Sequence, residues 1–110
     1  MTKPFLIALS VAAWPLVAFA ASVTPTQTGA FLGYCKTNSQ GCIDKVTEIK
    51  FAVMITQPIS HKACLTADTD DAKALTSKVV QWLTAHPETN GEATDNGIEI
   101  ALSTLYPCKG

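Results

Sequence analysis

The sequence predicts an all-α fold: a small bundle of about four short helices stapled by two disulfides. Three observations predict it. Apolar residues recur at three- and four-residue spacing in successive stretches. Proline, glycine and polar clusters separate those stretches. Four cysteines, Cys35, Cys42, Cys64 and Cys108, all lie beyond a strongly apolar leader.

The leader is the first element. Of residues 1–20, 15 are apolar. Lys3 supplies a short positive start, Phe5 to Val17 an apolar run, and Ala18-Phe19-Ala20 a small-x-small cleavage site. These are the parts of a secretory signal peptide, with cleavage expected after Ala20 and, as second choice, after Ala21. The run is too short for a membrane span and carries Pro15. The expected organisation is a cleaved signal peptide over 1–20 and one helical domain over 21–110, with no membrane insertion after cleavage. Export places the cysteines in an oxidising space.

Four helices follow. Thr26 or Thr28 is positioned to cap the first, which carries Phe31, Leu32 and Cys35 on one face. Lys36 to Gly41 has the composition of a turn. In the second, from Cys42 to Gln57, Ile43, Val46, Ile49 and Val53 recur at helical spacing. Phe51 to Ile55 taken alone would suit a buried strand, but the length of the periodic stretch favours helix. Pro58 is expected to close it, because the residue before a proline avoids the α region. The third helix is expected to be capped by Asp68 or Thr69, with Asp70 and Asp71 in its first turn. Its stripe is Ala72, Leu75, Val79, Trp82 and Leu83, and Pro87 ends it near His86. Glu88 to Gly91 is a turn. The last helix is expected from about Ala93 to Leu105, with Ile98, Ala101, Leu102 and Leu105 on one face. Gly97 weakens its first turn by about 1 kcal/mol relative to alanine, so that turn is expected to fray.

Four cysteines allow three pairings. Cys35 with Cys42 and Cys64 with Cys108 is the expected set, because the first two flank one turn between consecutive helices. On the chain-entropy account the two bridges contribute roughly 2.5 and 4 kcal/mol. A domain this small has a modest core, so cross-links matter to it.

The chain has a formal net charge of −1, and lysine supplies all eight of its basic residues. A near-neutral chain without arginine is a poor candidate for nucleic acid. The catalytic inventory is thin. Ser60-His61 and Cys64 are neighbours in a connector, a poor setting for a nucleophile and base, and no C-x-x-C pair supports a zinc or redox site. Asp68, Asp70 and Asp71 lack the glycine and distal glutamate of a calcium loop. His86 suits a helix C-terminus. Trp82 and Tyr106 fit a core or an interface. The residues therefore point to an exported, disulfide-stapled binding module with no catalytic residue, metal or cofactor of its own.

Five stretches carry a resemblance. They are Gly29 to Cys35, Cys42, Ala63-Cys64-Leu65, Val80 to Glu88 with its His-Pro-Glu ending, and Ala101 to Cys108 with its Tyr-Pro-Cys ending. Together they span roughly residues 29–108, which resemble the Rap/Tai family of periplasmic immunity proteins. That family protects bacteria from peptidoglycan amidase effectors of the type VI secretion system. The chain departs from the family pattern at Ile43 to Glu48, at Thr66 and at Gly97. The resemblance implies a short-helix fold and stoichiometric binding of a cognate amidase effector, with its active-site cleft plugged or covered. It also implies a homodimer, for which Phe51 and Trp82 are the candidate contacts. The polar turn after the third helix, with His86, Glu88, Asn90, Glu92 and Asp95, is the candidate effector-facing surface. The alternative expectation is a small acid-activated periplasmic chaperone, a class that also combines a signal peptide, few helices and a disulfide.

Overall fold

A computed structural model describes residues 23–108. The leader predicted over 1–20, with its cleavage site, lies outside the described residues. Four α-helices follow in order: α1 over Thr28–Thr37, α2 over Ser39–Ser60, α3 over Ala72–Ala85 and α4 over Thr94–Leu105. A short 3₁₀ helix over Pro87–Thr89 separates the last two. The described chain is all-α, as expected, and contains no strand. Among the described residues no helix is long and apolar enough to cross a membrane.

The predicted stripes meet in one core. Phe31 from α1, Val46 and Ile49 from α2, Leu75, Val79 and Leu83 from α3, and Ile98, Ala101 and Leu102 from α4 are all buried, with Leu65 added from the connector. α2 packs most extensively on α3, and α3 on α4. Trp82, expected in the same stripe, is only partly buried at the core's edge.

Both bridges form as expected, Cys35–Cys42 and Cys64–Cys108, with Cα separations of 5.0 and 4.8 Å. Two disulfides belong to a non-reducing compartment. The long one ties the connector to the end of the chain, where Cys64 N–H also donates to the Tyr106 carbonyl at 2.8 Å.

Four expected boundaries move. The turn expected over Lys36 to Gly41 shrinks to one residue, Asn38, so α2 begins at Ser39 rather than Cys42. Asn38 leaves the helical region (φ −132°, ψ 65°). Its N–H and its side-chain amide both donate to the Tyr34 carbonyl, which finishes α1. Gly41 is then a crossing point: a Cβ there would overlap the Tyr34 hydroxyl.

Pro58 does not close α2, which continues to Ser60. In a last turn the missing proline N–H costs only one hydrogen bond. The Gln57 side chain offsets that loss by exchanging two 2.9 Å hydrogen bonds with the backbone of Leu65. The stop comes at His61, in the left-handed region at φ 53°, whose N–H donates to the Gln57 carbonyl.

The α3 cap is neither Asp68 nor Thr69. Asp71 Oδ1 accepts from Ala74 N–H at 2.8 Å. Thr69 instead closes its own turn with Thr66. Asp70 turns towards Lys78 and Tyr106.

The first turn of α4 is not frayed. Thr94 is buried, its N–H donating to the Thr26 carbonyl and its hydroxyl to the Pro25 carbonyl at 2.8 Å. Gly97 is buried too, because the Thr28 side chain fills the space a Cβ would need.

Candidate functional site

The chain between α3 and α4 forms a compact knuckle that carries His86, Glu88, Asn90 and Glu92, and Asp95 follows in the first turn of α4. Backbone bonds build it. His86 N–H donates to the Leu83 carbonyl, Thr89 N–H and Oγ1 both donate to the His86 carbonyl, and Glu92 N–H donates to the Thr89 carbonyl. Pro87 starts the 3₁₀ turn, where its missing N–H is no loss.

The knuckle is then sewn to the start of α1. Gly29 N–H donates to the Asn90 carbonyl at 3.0 Å, and Thr28 N–H to the Glu92 carbonyl at 2.9 Å. The Thr28 hydroxyl donates to the same Glu92 oxygen at 3.0 Å. Gln27 and Ala93 form an antiparallel bridge. Four orphan N–H groups begin any helix; here the knuckle's carbonyls satisfy two of them for α1.

The side chains are less free than their polarity suggests. The His86 ring stacks on Trp82 with centroids 3.9 Å apart, and its Nδ1 lies 2.9 Å from Glu88 Oε2. Glu88 is exposed, and its carboxyl is held below the usual range by its own backbone N–H and then by His86. Asn96 Nδ2 donates to Glu92 Oε1 at 2.6 Å. Asp95 lies 2.7 Å from Lys45 Nζ on α2. Lys45 is raised above its ordinary value, chiefly by the Asp95 hydrogen bond and further by Glu48, with burial opposing. The five residues predicted as a surface thus share one structure, three exposed carboxylates on a fixed backbone. Sequence proximity was the signal, and the stitching to α1 was not visible in it.

The two candidate dimer contacts differ. Phe51 on α2 is 53% exposed. Trp82 on α3 is half-buried and covered on one face by His86. Two more apolar side chains extend Phe51 into a ridge at four-residue spacing, Ile55 and Ile59, 78% and 88% exposed. The sequence points to Phe51 as a contact, but its extension by Ile55 and Ile59 is hidden there behind the core stripe of Val46, Ile49 and Val53. Also hidden is a groove of about 480 Å³ between α1, the start of α2 and α3.

The thin catalytic inventory takes structural roles. His61 ends α2, Cys64 is bridged to Cys108, and Asp71 caps α3. Asp70 accepts a hydrogen bond from the Tyr106 hydroxyl and lies 3.0 Å from Lys78 Nζ. Among the described residues no three His, Cys, Asp or Glu side chains gather as a metal site would need.

These features define a class, a four-helix domain stapled by two disulfides with a fixed acidic knuckle. No family model, curated protein or solved structure matches the chain.

Proposed function

We propose that this chain is a periplasmic immunity protein of the Rap/Tai kind. It is exported by its signal peptide and, as a homodimer, binds and inhibits a peptidoglycan amidase effector of the type VI secretion system. It acts by stoichiometric binding, with no turnover of its own. The observation that supports this most is the knuckle. Glu88 and Glu92 project from a short backbone already fixed by α1, with Asp95 beside them on α4, so little ordering entropy is lost when they enter a cleft. Carboxylates so placed mainly set association rate and specificity.

The test is co-purification with type VI amidase effectors from the genome that encodes this chain, followed by peptidoglycan hydrolysis at equimolar inhibitor. Inhibition is expected, and exchanging Glu88 and Glu92 for lysine should weaken it by roughly tenfold or more, mostly through the association rate. Failure of every such amidase to bind at micromolar concentration would end this reading.

One observation favours the second reading, an acid-activated chaperone: the exposed ridge of Phe51, Ile55 and Ile59 would suit an unfolded client. That reading requires client binding in acid, at about pH 2–3, where protonated carboxylates loosen the fold and expose apolar surface. A dimer that stays folded there counts against it.

A further inference from the structure

We propose that the groove between α1, α2 and α3 is a docking site for an acidic amphipathic helix of a partner protein. This inference does not rest on the amidase reading. Its apolar lining is Leu32, Ile43 and Val80 together with the Cys35–Cys42 bridge. Lys36 and Lys73 are the only charged residues that line it. Neither is within ion-pair distance of a carboxylate among the described residues. In a chain of net charge −1, a groove with two ammonium groups and no carboxylate selects for an anionic occupant.

Length and shape select among anionic occupants. The α3 residues that line the groove run from Lys73 to Thr84. At 1.5 Å per residue that is roughly 16 Å, or three helical turns. The volume of about 480 Å³ accommodates several apolar side chains projecting from such a helix. The groove is open to solvent, so an acyl chain lying in it would stay partly in water. Small-ligand sites usually bury about 70–90% of their ligand. A helix laid across the opening completes the packing that α1, α2 and α3 leave unfinished, with apolar anchors at i, i+3 or i+4 and i+7. Flanking carboxylates then meet Lys36 and Lys73.

The experiment titrates the oxidised protein with a lactam-stapled helical peptide of about 14 residues. It has leucines along one face and glutamates on either side, and its counterpart has lysines in place of the glutamates. The readout is amide chemical shift, with dodecanoate titrated in parallel. The glutamate peptide is expected to bind roughly tenfold or more tightly than the lysine peptide, with shifts centred on Leu32, Ile43 and Val80. Lys36→Glu with Lys73→Glu should reverse that preference. Ser77→Trp, which fills the groove from an exposed position, should abolish binding. The charge-reversed pair remains informative even where the Ser77→Trp chain fails to fold. The proposal is overturned by equal binding of the two peptides, by shifts centred on Phe51, Ile55 and Ile59, or by dodecanoate occupying the groove when the glutamate peptide does not. A dimer that dissociates on Ser77→Trp would assign the groove to a second copy and overturn it as well.

Discussion

The side chain of Thr28 in α1 occupies the space where Gly97 of α4 would carry a Cβ. The same hydroxyl donates to the Glu92 carbonyl at 3.0 Å, so one residue closes the helix crossing and fixes the knuckle. Alanine in a helix interior is favoured over glycine by about 1 kcal/mol. At position 97 overlap with Thr28 opposes that gain, and overpacking a tight crossing costs about 1–3 kcal/mol. Gly97→Ala is therefore expected to destabilise the fold, measured by urea unfolding. In a Thr28→Ala background the same change should cost less, with a coupling of about 0.5–2 kcal/mol. An equal cost in both backgrounds would show that the crossing is not the reason for the glycine.

The Asp70–Tyr106 pair joins the start of α3 to the end of α4 and is sensitive to pH at both extremes. Asp70 is held below its ordinary 3.8, first by the Tyr106 hydrogen bond and then by Lys78. Folding thus weakens its hold on a proton. Its contribution is complete above the ordinary carboxylate value and is lost as pH falls through the lower folded one. Tyr106 runs the other way: burial, and then Asp70, push it up to about 12. Its contribution is complete below its ordinary value of 10.0 and is lost as pH rises towards the folded one. Tyr106→Phe should therefore lower the Tm by a constant amount between about pH 5 and pH 9. The gap from the parent should narrow beyond either end. A gap that widened in acid would refute the assignment.

The two bridges should differ in worth. Removing Cys64–Cys108, which closes a separation of 44 residues, is expected to cost about 4 kcal/mol. Removing Cys35–Cys42, with a separation of 7, should cost about 2.5 kcal/mol from chain entropy. Cys42 is buried at 2% exposure, so alanine there also leaves a small cavity, and serine in its place would bury a hydroxyl. Paired alanine variants compared by guanidinium midpoint and slope would rank the bridges. Once the Cys42 cavity is allowed for, a smaller loss for the long bridge would point to residual structure in the unfolded chain.

The residues that were legible are those whose role is repeated along the chain. α3 and α4 each place their apolar residues on one face, and Leu75, Val79, Leu83, Ile98 and Leu102 all reach the core. Single contacts were not legible. Lys36 to Gly41 has turn composition, but the chain needs only one break, at Asn38, and Gly41 serves a contact with Tyr34. Asp68, Thr69 and Asp71 are all competent caps, and the partners of Thr69 and Asp70 leave Asp71 to do it. The knuckle residues were found because they are neighbours in sequence. The groove was not legible because its lining comes from three helices, and Phe51 was legible without Ile55 and Ile59 because α2 carries two apolar stripes.

The two candidate dimer contacts separate by experiment. Phe51, Ile55 and Ile59 form a ridge on α2 that no described residue covers, and contiguous exposed apolar surface of that kind marks interaction sites. Trp82 contributes to the core's edge and carries the His86 ring. Phe51→Glu with Ile55→Glu removes mostly exposed apolar surface, so the fold should persist with monomer stability lowered by no more than about 1 kcal/mol. The self-association proposed for this chain, followed by sedimentation velocity over a concentration series, should be lost. Trp82→Ala should instead lower the Tm, by truncating a half-buried aromatic, and leave association in place at temperatures where the fold persists. If Trp82→Ala dissolved the proposed dimer and the ridge variant did not, the interface would lie on α3 beside the knuckle, and the proposed effector binding and dimerisation would compete for one surface.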